Sequence, residues 1–164
     1  MAKEIERKFL VKDDSFEQLA NPLYFHQGYL SSDIERTVRV RVEGTKAVIT
    51  IKGRNSGMTR DEYEYEIPLY DAYEMLGNLC IKPTIQKFRY EIEYMGHIWQ
   101  VDKFEGFNKG LVVAEIELSS ENESFEKPEW IGEEVTGNPL YYNSNLISNP
   151  FSNWGYENEV KENI

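Results

Sequence analysis

Residues 2–11 read Ala2-Lys3-Glu4-Ile5-Glu6-Arg7-Lys8-Phe9-Leu10-Val11. Successive side chains of a β-strand point to opposite faces. Glu4, Glu6 and Lys8 therefore share one face, and Ile5 and Phe9 share the other. Two carboxylates followed by an ammonium, two residues apart each time, form a compact site with a cation-binding end and an anion-binding end. An ordinary half-buried strand with a charged wet face shows the same pattern. What separates the two readings is whether the rest of the chain repeats it.

It does. Glu35–Val42 (ERTVRVRV) sets Val38, Val40 and Val42 against Thr37, Arg39 and Arg41. Gly44 turns the chain into Lys46–Lys52 (KAVITIK), where Ala47, Ile49 and Ile51 oppose Val48, Thr50 and Lys52, so the pair reads as a hairpin. After the loop Gly53–Gly57, Arg60, Glu62, Glu64 and Glu66 share one face of the next strand and Tyr63 and Tyr65 the other. Residues 85–94 (IQKFRYEIEY) place Lys87, Arg89, Glu91 and Glu93 opposite Phe88, Tyr90, Ile92 and Tyr94. Gly96 then turns into His97–Phe104, which carries Asp102, and Leu111–Leu118 carries Glu115 and Glu117. With the aromatic-rich Leu23–Leu30, this makes eight strands joined mostly by short turns. The expected class is α+β, mainly antiparallel β: an eight-stranded barrel, closed or nearly so.

Helical signals are fewer. Asp13-Asp14-Ser15 can start a short helix that Asn21-Pro22 stops, and Asp71 can cap an amphipathic helix bearing Tyr73, Leu76 and Leu79. Lys127–Leu146 reads as one or two helices covering an apolar surface with Trp130, Ile131, Val135 and Leu146, and Pro150 onward as a loosely ordered end.

The 164 residues fit one domain over 1–164, with a core at roughly 2–147 and a tail at 148–164. Hydrophobic residues make up 40% and charged residues 29%. No apolar run approaches the ~20 residues a membrane span needs, and the N-terminus lacks the order of a signal peptide. Cys80 is the only cysteine, which excludes an internal disulfide and suggests a reducing cytoplasm. A net charge of −11 argues against general nucleic-acid binding, though not against a small cationic pocket. His26 and His97 are too few for a zinc site or a Ser-His-Asp arrangement.

The charged faces are sorted by sign: Glu4/Glu6 with Lys8, Arg39/Arg41, Lys52, Glu62/Glu64, Lys87/Arg89 and Glu115/Glu117. A solvated face usually mixes signs with Ser, Thr, Asn and Gln. Sorted blocks suit a site that holds metal ions on one side and a polyanion on the other. Mg²⁺ and Mn²⁺ take oxygen ligands, commonly one or two carboxylates plus phosphate oxygens. Arginine suits phosphate because its planar fork donates two parallel hydrogen bonds.

Glu4-Ile5-Glu6-Arg7-Lys8 resembles the ExExK signature of the CYTH superfamily, the triphosphate tunnel metalloenzymes. Gln27–Leu30, Arg39-Val40-Arg41, Thr50-Ile51-Lys52, Glu62-Tyr63-Glu64, Lys87-Phe88-Arg89, Val101–Gly106 and Ala114–Leu118 follow in the family's order at similar spacing. Gly132–Thr136 and Tyr142-Asn143 are similar to its C-terminal helix region, although Leu140-Tyr141 stands where many relatives have a basic residue. ExExK alone is a weak pattern; the ordered set is specific.

The resemblance implies a closed tunnel with a charged lumen, helices packed outside and a C-terminal helical segment. It implies catalytic roles for Glu4, Glu6, Lys8 and Lys52, and substrate binding by Lys8, Arg39, Arg41, Lys52, Lys87 and Arg89. Metal would be held, or water oriented, by Glu4, Glu6, Glu62, Glu64, Asp102, Glu115 and Glu117; Arg60–Glu66 also admits a Glu64/Glu66 register. The implied reaction is hydrolysis of the terminal phosphoryl group of a triphosphate, above all tripolyphosphate, with Mg²⁺ or Mn²⁺. Thiamine or nucleoside triphosphatase and class IV-type adenylate cyclase are the enzymatic alternatives, and a polyphosphate or nucleotide sensor the non-enzymatic one. The expected partner is a small-molecule triphosphate, with no nucleic acid and no membrane, and a homodimer left open.

Overall fold

Period-two alternation becomes strand throughout the computed structural model, which describes residues 3–155. The strands are β1 (Lys3–Val11), β2 (Leu23–Ser31), β3 (Arg36–Glu43), β4 (Lys46–Gly53), β5 (Thr59–Ile67), β6 (Ile85–Tyr94), β7 (His97–Phe104), β8 (Val112–Glu117) and a short β9 (Ile131–Glu134). Neighbours run β5-β4-β3-β2-β6-β7-β8-β1, and β1 returns to β5 through Lys3–Ile5 against Thr59–Asp61. The eight-stranded antiparallel barrel is thereby closed. Met95 and Gly96, at φ 49° and 83°, make the β6–β7 turn, because positive φ at both central residues matches the twist of the strands.

The closure is uneven. Glu6–Leu10 of β1 pairs with β8 along one edge, while the other edge is shared between β5 at its start and β9 at its end. β9 is the ninth strand that the alternation does not announce. Its stretch was expected to be helical; instead the Lys127–Leu146 segment contains β9, a 3-10 turn at Pro139–Tyr141 and the four-residue α2 (Asn143–Leu146). The cause is the bare edge of β1. Lys12 N–H donates to the Trp130 carbonyl and Val135 N–H to the Lys8 carbonyl, so the segment satisfies strand groups rather than its own helix. Trp130, Ile131, Val135 and Leu146 are buried all the same.

The apolar faces turn outward and are covered there. Phe9, Trp99, Ala114 and Ile116 pack with Phe16 and Trp130. Phe16 comes from a 3-10 turn at Ser15–Gln18, where Asp13 accepts hydrogen bonds from the Ser15 amide and hydroxyl. On the other, lumen-side face, in phase with Lys87, Asp102 and Glu115, Ile85, Phe104 and Val113 pack with Leu111, Leu146 and Ile147 at one end of the barrel, joined by Phe151 and Trp154, so the chain after Pro150 is tied down as far as Trp154. Residues 156–164 of the tail lie outside the described residues.

α1 (Leu69–Asn78) starts directly after Pro68 rather than at an Asp71 cap, and Asp71 sits in its first turn. It buries Ala72 and Leu76 over Val40, Val42 and Ala47, leaving Tyr73 and Leu79 exposed. Gly28 lets this helix end approach: a Cβ there would lie 2.9 Å from the Cys80 Cβ.

Candidate active site

With apolar side chains directed outward, the alternate residues of every barrel strand point into the lumen. Register then fixes who faces whom. Glu6 stands opposite Glu117 and Lys8 opposite Glu115 across β1–β8. Thr50 and Lys52 of β4 lie between Arg39 and Thr37 of β3 and Glu64 and Glu62 of β5. The result is a cavity of about 210 Å³ in which seven cations (Lys8, Arg39, Arg41, Lys52, Arg60, Lys87, Arg89) and six carboxylates (Glu4, Glu6, Glu62, Glu64, Glu115, Glu117) form most of the wall. Glu62 and Glu64 line it, and Glu66 does not.

At one end Lys52 Nζ bonds Glu4 Oε1 at 2.8 Å and lies 3.3 Å from Glu62, and Arg60 Nε donates to the same Glu4 oxygen at 3.1 Å. Desolvation would raise the Glu4 carboxyl, but Lys52, a hydrogen bond with Glu62 and Arg60 hold it well below its ordinary value. Glu62 moves the other way, up to about 7, through desolvation and the shared hydrogen bond with Glu4. The two carboxyls are thus pushed in opposite directions, Glu62 towards its protonated form and Glu4 towards its ionised one.

Glu6 and Glu117 differ from these. Among the described residues neither side chain has a hydrogen-bond or ion-pair partner. Desolvation, then Glu115 and Glu4, push the Glu6 carboxyl up to about 8 against the pull of Lys52 and Lys8. Glu117 is raised by desolvation and then by Glu4. Glu115, 3.4 Å from Lys8, is held far below the usual carboxylate range because Lys8, Arg89, Lys87 and Lys52 outweigh its desolvation.

The opposite end is cationic. Asp102 lies behind the wall rather than on it, 3% exposed, and both its oxygens are taken. Lys87 Nζ donates to Oδ2 at 2.6 Å, and Arg89 donates through Nε at 2.7 Å and Nη2 at 2.9 Å. Burial pushes the Lys87 ammonium down to about 7 in spite of Asp102, whereas Asp102 more than offsets burial for Arg89 and holds it above its ordinary value. Arg41 bonds Glu43 at 2.8 Å and is lowered to about 10 by desolvation, Arg39 and Arg89. The Phe25 ring carries both guanidinium groups, with Arg41 and Arg89 at 4.9 and 4.8 Å from its centroid.

Twelve of the thirteen residues singled out in the sequence therefore share one cavity wall, and Asp102 supports it from behind. Arg60, Phe25, Gln27, Tyr142 and Asn143 were not among them. Arg60 was legible, since it alternates with Glu62 and Glu64. Tyr142 and Asn143 arrive on the C-terminal strap, which alternation cannot place.

Residues 2–146 match the CYTH domain model. The chain belongs to the CYTH family. It is 52% identical over 154 residues, 94% of this chain and 99% of the relative, to a protein of Acetivibrio thermocellus named inorganic triphosphatase. A Nitrosomonas europaea protein of the same name is 36% identical over 87% of this chain and 95% of its own. The solved structure of an inorganic triphosphatase superposes with a TM-score of 0.63 at 32% identity, covering 87% of this chain and 96% of that one. A structure from Bacillus halodurans, 20% identical with a TM-score of 0.57, shares the CYTH fold over 74% of this chain and 84% of its own.

Proposed function

We propose that this CYTH protein is an inorganic triphosphatase: with Mg²⁺ or Mn²⁺ it hydrolyses tripolyphosphate to pyrophosphate and orthophosphate. The observation that carries this reading is one lumen that sets Arg39, Arg41, Lys87 and Arg89 apart from the unpaired carboxylates Glu6 and Glu117. The relatives' name agrees with it. A polyphosphate sensor would need the cations alone, so the Glu6/Glu117 pair is the feature that favours an enzyme.

The donor set fits a hard divalent cation. Glu6 and Glu117 are side by side, lack protein partners among the described residues, and hold protons more tightly than free carboxylates do. Among the described residues no three acidic side chains form a ready-made cage. That agrees with an ion held by one or two carboxylates together with substrate oxygens. Glu6 and Glu117, with Glu4, Glu62, Glu64 and Glu115 nearby, would hold it. When bound it would neutralise phosphate charge and favour in-line attack by water.

The chain's own groups do the rest. Arg39, Arg41 and Arg89 present guanidinium forks to successive phosphates, and Lys8, Lys52 and Lys87 add point charges between them. Cations fixed before substrate arrives need no rearrangement as charge shifts to the leaving pyrophosphate oxygen. Water adds to the terminal phosphorus, the P–O bond to the middle phosphate breaks, and the proton is lost to the carboxylate cluster. Among the described residues no helix is long and apolar enough to cross a membrane. A cytoplasmic site of action fits the single buried thiol of Cys80.

The test is phosphate release from tripolyphosphate, ATP, thiamine triphosphate and pyrophosphate, with Mg²⁺, Mn²⁺ or EDTA, alongside a cyclic-AMP assay. Tripolyphosphate should be the preferred substrate and EDTA should stop turnover. Full activity in EDTA, or cyclic AMP as the main product from ATP, would overturn the proposal.

A further inference from the structure

Lys87 is 1% exposed, yet it lines the cavity. An ammonium has three N–H donors and no acceptor. One donor goes to Asp102 Oδ2 at 2.6 Å and a second to the side-chain oxygen of Asn143 at 3.1 Å. Only one is left for the lumen. A lysine normally delivers a freely rotating charge; here two fixed acceptors leave a single direction for the third hydrogen.

The Asn143 carboxamide is oriented by necessity. As an ammonium Lys87 only donates, and the Asn143 atom facing it is the oxygen. Gln27 reaches the same atom at 2.9 Å and must therefore present its NH₂ group. That requirement accounts for the Gln27 Oε1, which is buried without a partner. Gln27, fully buried on β2, holds Asn143, and Asn143 holds Lys87.

Asn143 is also delivered from outside the barrel. The strap after β9 is pinned by Lys8 Nζ on the Tyr141 carbonyl at 3.2 Å, and by the Tyr142 ring lying 5.7 Å from Lys8 Nζ and 5.9 Å from the Arg60 guanidinium. Leu146, fully buried, anchors the other side of α2. Thus the aim of a lumen cation depends on a segment that belongs to no barrel strand.

We infer that Asn143, which itself lines the cavity, is a positioning residue: with Gln27 behind it, it aims the one free N–H of Lys87 at a bound phosphate and so sets affinity for triphosphate through Lys87. The inference rests on the triphosphate reading of the lumen, and a double-mutant cycle separates the two. Tripolyphosphate binding is measured by calorimetry in Ca²⁺, to limit turnover, for Asn143→Ala, Lys87→Ala and the double variant, with a thermal melt of each. Asn143→Ala should weaken binding roughly tenfold, the order of one charge-assisted hydrogen bond. In the Lys87→Ala background the same change should alter it by less than about twofold, because residues that act as a unit are not additive. Gln27→Met keeps the volume and removes the donor, and should give a smaller loss that also vanishes without Lys87. It carries the test if Asn143→Ala does not fold. Equal losses from Asn143→Ala with and without Lys87 would mean direct contact with the ligand and overturn the inference alone. Unaltered binding by Lys87→Ala would likewise overturn the inference, whereas no binding of tripolyphosphate by the native protein would overturn the triphosphate reading itself.

Discussion

A carboxylate beneath two cations and a carboxylate among other carboxylates stand in opposite electrostatic positions, and Asp102 and Glu6 are the two cases here. Asp102 neutralises Lys87 and Arg89 in a buried setting, where removing one partner of an ion pair typically costs about 3–5 kcal/mol. Asp102→Asn should therefore lower the melting temperature by roughly 6–20 °C, with tripolyphosphate restoring part of the loss; an unchanged melt would show that the pairing contributes nothing. Glu6 gives a pH signature in metal-free protein. Its carboxyl titrates near about 4.3 when unfolded and at about 8 when folded. Between these values the folded state keeps a proton that the unfolded state has released, so stability falls as pH rises. The melting temperature in EDTA should fall more steeply from pH 5 to 7 in the native protein than in Glu6→Gln. Parallel profiles would remove Glu6 as the source. Glu6→Gln and Glu117→Gln should each abolish turnover in phosphate-release assays while leaving a cooperative melt, since each keeps its shape and loses the charge proposed to bind metal. From sequence, Asp102 and Glu6 both read as acids on charged strands. Nothing in a spacing of two says that one of them is spent on its neighbours.

Strands were legible because period two survives whichever face is buried. Val38, Val40 and Val42 could be separated from Arg39 and Arg41 without knowing that the apolar set packs outward under α1. The C-terminal strap was not legible, because its order comes from a distant partner: the free edge of β1 sets the backbone of β9, and the lumen sets the side chain of Asn143. α1 shows how closely such docking is fitted. Its C-terminal end reaches β2 only because position 28 has no side chain: a Cβ would come within 2.9 Å of the Cys80 Cβ and 3.1 Å of Leu76 Cδ2. Overpacking of this kind costs about 1–3 kcal/mol. Gly28→Ala should thus lower the melting temperature by roughly 2–12 °C, while the affinity for tripolyphosphate, whose candidate cations all lie on other strands, stays within about twofold. A Gly28→Ala protein that melts like the native one would show that α1 is free to move aside.

Over the whole molecule, a net charge of −11 accompanies a lumen that gathers seven cations, six of them held at side-chain exposures of 11% or less (Lys8, Arg39, Arg41, Lys52, Lys87 and Arg89 at 10%, 11%, 9%, 11%, 1% and 9%). Like charges so confined repel one another in the ligand-free protein; Arg41 is lowered first by burial and then by Arg39 and Arg89. A bound triphosphate relieves that repulsion and recognises only the closed barrel, because the strands that supply the cations are far apart in the chain. Ligand that binds only the folded state stabilises it by mass action, about 2.7 kcal/mol at one hundred times its Kd. For a chain of this size each kcal/mol moves the melting temperature by roughly 2–4 °C, so the expected rise is about 5–11 °C. The measurement is a thermal melt with tripolyphosphate in Ca²⁺ or in EDTA, against chloride at matched ionic strength. Arg39→Ala, which removes one lumen cation and no core contact, should shrink the rise. If tripolyphosphate did no more than the matched salt, and Arg39→Ala changed nothing, the lumen would be a hydrated charged interior with no triphosphate site.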